Sequence, residues 1–160
     1  METVDALVAR IANGAKLAVP KAECGAAMEA TRALIRRGVR DLHVIAVPTS
    51  SLQADLLIGA GCVRTIECAG VSMGELGGAP CFTRAVTAGT IAIRDSSCPA
   101  LYAGLQAAEK GLPFMPLRGF IGSDIVRHRS DFAIIDNPFL AGDTLLAVAA
   151  IQPDFALIHA

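Results

Sequence analysis

No apolar run in this sequence of 160 residues is built to cross a bilayer. Leu145 to Ile151 runs for seven residues and stops at Gln152, far short of the ~20 that a spanning helix needs. No excess of positive charge is present either. Lys and Arg number 14 against 15 Asp and Glu, for a net charge of -1, so nothing electrostatic recruits a phosphate backbone or an anionic membrane surface. Nucleic acid and membrane are therefore not expected as partners. The five cysteines, Cys24, Cys62, Cys68, Cys81 and Cys98, form no C-x-x-C pair, and one is left over in any disulfide scheme. They read as reduced thiols that pack as small hydrophobes. His43, His128 and His159 are scattered without metal-ligand spacing, which argues against a zinc site or a hydrolase charge relay. The first residues, Met1-Glu2-Thr3-Val4-Asp5, are acidic where a secretory signal is basic, and the cytoplasm is the expected compartment. Repeats, low-complexity tracts and linkers are also missing, so one domain over 1–160 is expected.

What is present is apolar. Hydrophobic residues make up 53% and charged residues 18%, more apolar than a free-standing monomer of this size requires, which predicts buried strands plus a buried subunit interface. Apolar runs alternate with helical patterns, the signature of βαβ units. The expected fold is α/β, a three-layer, largely parallel open sheet with helices on both faces. Strands are expected at Leu17 to Val19, Leu42 to Val47, Thr65 to Val71, Thr90 to Arg94, Phe114 to Leu117 and Phe155 to His159, with Phe132 to Ile135 as an edge strand. Their runs are continuous rather than alternating because a parallel strand buries both faces. Helices are expected at Ala26 to Arg37, Gln53 to Ala60, Ala100 to Lys110 and Asp143 to Ala150, from apolar spacing of three and four. Gly38 and Gly111 follow basic last turns, where a left-handed cap is expected.

Two glycine-rich stretches bear on function. Gly59-Ala60-Gly61 follows a helical pattern rather than a strand and lacks a third glycine, so it reads as a helix cap, not a nucleotide loop. Gly74 to Pro80 instead comes after a strand, and ligands of open α/β sheets bind beyond the carboxyl ends of strands. That rule nominates the loops Thr49-Ser50-Ser51, Ser72-Met73-Gly74, Ser96-Ser97 and Arg118-Gly119. Ser72, Met73, Gly74, Ser97 and Arg118 are the candidate substrate-binding residues, with Arg118 able to orient a carboxylate. Each loop taken singly also has a plain explanation, since turns are rich in Ser and Gly. If the strands before them are parallel, the loops share one edge and face a partner subunit.

The stretch from Ala33 through Leu42, continued by Asp55 to Val63, resembles the alpha subunit of class I, glutaconate-type, coenzyme A transferases. Gly77 to Phe82 is similar to that family's Gly-x-x-Pro-x-Phe segment, and Phe82 to Val86 fits the helix after it. Gly111 to Pro116 and Gly122-Ser123-Asp124 are similar to its GLPF(M/L)P and GTD segments, so the resemblance covers Leu34 to Ala160 as blocks in the family's order.

The resemblance implies an alpha-type subunit of a hetero-oligomer that moves coenzyme A from an acyl-CoA to a free carboxylic acid. The thioester is then the substrate and no further cofactor is implied. The nucleophilic glutamate belongs to a beta subunit, so this chain carries no catalytic residue of its own and is expected to be inactive alone. Glu23, Glu67 and Glu75 are its competing carboxylates. Two departures stand out. Pro20 to Gly25 replaces the family's Gly-Gly-Phe turn, so no tight amide-lined turn is carried over there. Related subunits also continue past the strand that ends at Ile158-His159-Ala160, so the sequence reads as C-terminally short, either a fragment or natively so. The alternative is a non-catalytic scaffold or acyl-CoA-binding module of the same fold. A sugar-phosphate isomerase is weaker still, because the loops offer only Arg118 to a phosphate.

Overall fold

The computed structural model describes residues 2–21 and 24–159. Ala22 and Glu23, part of the Pro20 to Gly25 segment, lie outside them, and the candidate Glu23 with them. The contacts divide into two compact units, Met1–Arg94 with Pro153–Ala160, and Asp95–Gln152.

The first unit is an α/β layer. Strands β1 (Lys16–Val19), β2 (Leu42–Ala46), β4 (Val63–Cys68), β6 (Ala92–Asp95) and β10 (Phe155–Ala156) form one sheet in the order β10-β1-β2-β4-β6. β10 with β1, β1 with β2, and β2 with β4 all pair parallel. Helices α1 (Val4–Val8), α2 (Met28–Arg37), α3 (Leu52–Gly59) and α4 (Pro80–Thr87) belong to this unit. Alternation along the strands sorts the two faces. Leu17, Val19, Leu42, Val44, Ala46, Ile66 and Cys68 join Ala33, Leu34 and Leu57 of the helices in one buried core. Gly38 caps α2 in the left-handed region (φ 74°), and the amides of Gly38 and Val39 turn back to the carbonyls of Ile35 and Leu34. That is the closure expected of a glycine after a basic last turn.

The expected strand Thr65 to Val71 is divided. β4 ends at Cys68, and Gly70–Val71 (β5) pairs in parallel with Thr49–Ser50 (β3) as a separate two-stranded ladder.

The second unit differs from the sequence reading in two respects. Asp143 to Ala150 is not a helix. Thr144–Ala149 is a strand, β9, in the centre of a three-stranded sheet of order β7-β9-β8. Its two neighbours, Phe114–Leu117 (β7) and Phe132–Asp136 (β8), both run antiparallel to it. A run such as Leu145 to Ala149 suits either a helix or a buried strand, and pairing on both sides settles it as a strand. Phe114 to Leu117, expected in the parallel sheet, is not there. Pro116, which has no N–H to donate, is tolerated because β7 is an edge strand. Phe132 to Ile135 is an edge strand as expected. Helix α5 (Cys98–Glu109) covers one face of this sheet through Ala100 and Ala103, which pack with Phe132, Leu146 and Val148. A short helix, α6 (Asp124–His128), starts at Ser123, whose side chain accepts from the Ile125 amide. Among the described residues no helix is long and apolar enough to cross a membrane.

Candidate functional site

The loops that leave β2 and β4 are knit together beyond the carboxyl ends of those strands. The Ala69 amide donates to the Pro48 carbonyl at 3.1 Å, and the Ser72 amide to the Ser50 carbonyl at 3.0 Å. Ser51 Oγ then contacts Met73 Sδ at 3.3 Å. The structure thus brings Ser72, Met73 and Gly74 against Thr49-Ser50-Ser51, as the parallel-sheet rule anticipates. Ser72 closes its own turn: its hydroxyl donates to the Gly77 carbonyl at 3.3 Å and accepts from the Gly74 amide at 3.1 Å. Gly74 has φ 62°, a conformation that side chains resist. This turn stands out in solvent, with Leu76 91% exposed. Ser50 Oγ and Gln53 Oε1 are buried without a hydrogen-bond partner among the described residues.

The sequence reading missed Asp55. It sits in the first turn of α3, is 3% exposed, and its Oδ1 accepts the Phe82 amide at 2.8 Å. Phe82 lies in the first turn of α4, where backbone N–H groups have no partner within the helix. Asp55 supplies that partner from a neighbouring helix, a link no local pattern announces. Beside it, burial and then the hydrogen bond with Asp55 push the Cys81 thiol above its ordinary range, while Arg84 works the other way. Burial likewise raises the Cys62 thiol. Both fit small packed thiols and not thiolate nucleophiles.

Glu67 is buried in β4, with His43 Nε2 at 3.2 Å and Arg94 Nε at 3.5 Å from its Oε2. His43 is accordingly tied to the strand beside its own. Glu75 is exposed in a one-turn 3-10 helix, Gly74–Leu76. Gly59 and Gly61 close α3: the amides of Gly61 and Cys62 turn back to Ile58 and Leu57, so the cap reading holds. No group of three or more His, Cys, Asp or Glu suited to a metal occurs among the described residues.

Ser97 and Arg118 belong to the second unit. Ser97 caps α5, its hydroxyl accepting the Ala100 amide at 3.3 Å. Just before it, Asp95 Oδ1 accepts the Ser96 amide at 2.9 Å, and Ser96 Oγ donates to the Ser97 carbonyl at 3.4 Å. Arg118 follows β7, so the parallel arrangement that was to set it on one edge with Ser72 and Ser97 is not the one it has. Its Nη1 and Nη2 donate to Asp143 Oδ1 and Oδ2 at 2.6 and 2.7 Å. Asn137 Nδ2 adds a third bond to that carboxylate at 2.6 Å. These bonds hold the Asp143 carboxyl below its usual range, with Arg118 the largest cause.

The family model for coenzyme A transferase matches residues 1–160. The A chain of the 3-oxoadipate CoA-transferase of Pseudomonas knackmussii is 35% identical over 134 residues, covering 82% of this chain and 47% of that protein. The IpdA component of the cholesterol ring-cleaving hydrolase of Rhodococcus jostii is 36% identical over 138 residues, covering 82% and 46%. Among solved structures, glutaconate coenzyme A-transferase from Acidaminococcus fermentans superposes with a TM-score of 0.87 at 26% identity, over 99% of this chain and 56% of that one. The chain thus spans about half the length of the curated relatives it matches.

Proposed function

The chain belongs to the coenzyme A transferase family, and from that membership we propose that it is the alpha-type subunit of a two-chain enzyme that transfers coenzyme A from an acyl-CoA to a free carboxylic acid. The observation that carries the reading is the family match along the whole sequence, joined by a relative that is itself named as one component of a CoA-transferase.

In the proposed reaction a glutamate of the second chain attacks the thioester carbonyl, and the C–S bond breaks. An acyl-glutamyl anhydride forms and CoA leaves as thiolate. The thiolate attacks the glutamyl carbonyl of the anhydride, releasing the first acid as carboxylate and leaving a glutamyl-CoA thioester. The acceptor carboxylate reverses these steps, so one difficult exchange becomes a series of easier ones. Of this chain's competing carboxylates, Glu67 is engaged by His43 and Arg94, whereas Glu75 is exposed beside Ser72, Met73 and Gly74; placing the nucleophile on the second chain rests on family membership. This chain's contribution is to bind and orient. Ser72, Met73 and Gly74 at the β3–β5 ladder are the proposed substrate-facing groups of the first unit, and Ser97 at the start of α5 is that of the second. Arg118, the fifth candidate, is exposed and gives two of its five N–H donors to Asp143, which leaves three for a substrate carboxylate.

A second reading is favoured by one observation, the relative named as part of a ring-cleaving hydrolase. In it the assembly hydrolyses its substrate instead of exchanging CoA. Co-expression with a beta-type subunit, followed by an assay of CoA exchange between an acyl-CoA and a labelled carboxylate, separates the two. Label appearing in the CoA thioester, dependent on both chains, is the expected result. Net release of product without label exchange would favour the hydrolase, and no turnover would favour a non-catalytic scaffold.

A further inference from the structure

Arg129 is a charged side chain held almost out of water, at 6% exposure. A guanidinium does not shed its charge when buried, so its position has to be justified by what it touches. Nε and Nη2 donate to the two oxygens of Asp131, each at 2.8 Å. Its Cζ lies 4.4 Å from the centre of the Phe132 ring, a face that attracts cations. These contacts come from the next three residues of the chain and fix the plane of the fork. Nη1 is directed elsewhere, to the carbonyl of Asp95 at 2.9 Å, 34 positions away in sequence.

Asp95 opens the turn that leads through Ser96 and Ser97 into α5. Both serine hydroxyls bond locally, Ser96 Oγ donating to the Ser97 carbonyl and Ser97 Oγ accepting from the Ala100 amide, and Ser97 stays partly exposed. The turn is therefore fastened at its far end by the first turn of α5 and at its near end by Arg129. A buried ion pair adds little net stability compared with well-packed apolar groups. Its planar, pre-aimed donors instead fix geometry.

We infer that Arg129 is a positioning residue: it sets the Asp95-Ser96-Ser97 turn in place for acyl-CoA binding. The inference rests on the functional reading above, in which Ser97 faces substrate. Arg129 does not touch substrate itself and acts through the Asp95 carbonyl.

The test uses the chain co-purified with its beta-type partner, as wild type and as variants. Arg129→Lys keeps the charge but loses the fork. Asp131→Asn keeps the guanidinium and weakens what aims it. Amide hydrogen exchange is read at 96–98 and, as an internal control, in β9, together with KM and kcat for the acyl donor. Both variants should speed exchange at 96–98 and leave β9 unchanged. Each should raise KM about tenfold with kcat within about twofold, because a displaced contact weakens binding before it alters chemistry. Arg129→Ala should raise KM likewise, and added methylguanidinium should lower it part of the way back. Unchanged exchange at 96–98, faster exchange spread equally through β9, or an unchanged KM would each overturn the inference while leaving the transferase reading intact. A wild-type heteromer that neither binds nor turns over acyl-CoA would overturn the transferase reading first and this inference with it.

Discussion

Arg118 and Asp143 face each other fork to fork, two guanidinium nitrogens on two carboxylate oxygens at 2.6 and 2.7 Å. Asp143 in turn accepts from Asn137, whose own Oδ1 accepts the Phe139 amide at 3.0 Å. Asn137 and Asp143 thus close the loop between β8 and β9 through side chain and backbone, Arg118 braces Asp143 from the end of β7, and Phe139 within the loop is 94% exposed. We expect Arg118→Ala to speed amide exchange across 137–143 and to leave β9 protected. An unchanged exchange profile would show that the loop is held by its backbone alone.

The same pair sets a direction for pH. The Asp143 carboxyl titrates below its usual range in the folded chain, so its contribution to stability is complete above the ordinary carboxylate value near ~4. It is lost as pH falls through the lower, folded value. The acid limb of thermal stability should be shallower in Asp143→Asn than in the wild type. Superimposable acid limbs would remove the pair from the account of acid stability.

Asp55 caps a helix to which it does not belong. Asp55→Ala leaves the Phe82 amide without its acceptor and should lower stability by about 1 kcal/mol, the usual scale for a lost N-terminal cap. Denaturant unfolding of the variant gives the number directly. Asp55→Asn keeps an acceptor oxygen and should retain most of the effect. An unchanged midpoint in Asp55→Ala would mean that water replaces the carboxylate at no cost.

Gly104 is a close-approach glycine. A Cβ there would meet Ile151 Cγ1 and Cδ1 at 2.6 Å and the Ala149 carbonyl at 3.1 Å, while the Gly104 carbonyl accepts the Ile151 amide at 2.9 Å. Alanine is the better helix former, yet overpacking of this kind costs roughly 1–3 kcal/mol, more than the propensity gain. Gly104→Ala should therefore destabilise, and adding Ile151→Ala should recover part of the loss in a double-mutant cycle. Strict additivity of the two would place the strain elsewhere.

Several apolar side chains besides Phe139 lie in solvent, among them Leu76 at 91% and Ile158 at 62%. With 53% hydrophobic residues, more than one small core requires, the chain purified alone should associate at micromolar concentration and bind a hydrophobic dye. Co-purification with the beta-type partner should suppress both. A monodisperse, dye-negative monomer in sedimentation would show that these residues need no cover.

The sequence by itself determined the local elements of this protein. The apolar run at Leu42 to Val47, stopped by Pro48, reads as a buried strand, and Leu42–Ala46 is one. The spacing in α2 and α5, each followed by a glycine, stated both the helix and its stop, because capping is settled within a few residues of chain. The order of blocks also carried the family. Tertiary structure decided what depends on partners distant in sequence. Leu145 to Ala149 became a strand because β7 and β8 pair with it on both sides. Phe114 to Leu117 left the parallel sheet for the same reason, and Arg118 went with it to Asp143, 25 residues away. Asp55 and Arg129 gave no local signal, since a carboxylate in a helix and an arginine in a loop read as solvated charges until the fold buries them against a backbone amide and a backbone carbonyl. Periodicity encodes which face of an element is apolar. It does not encode which neighbour that face or that charge will meet, because that is fixed by packing and pairing across the whole chain.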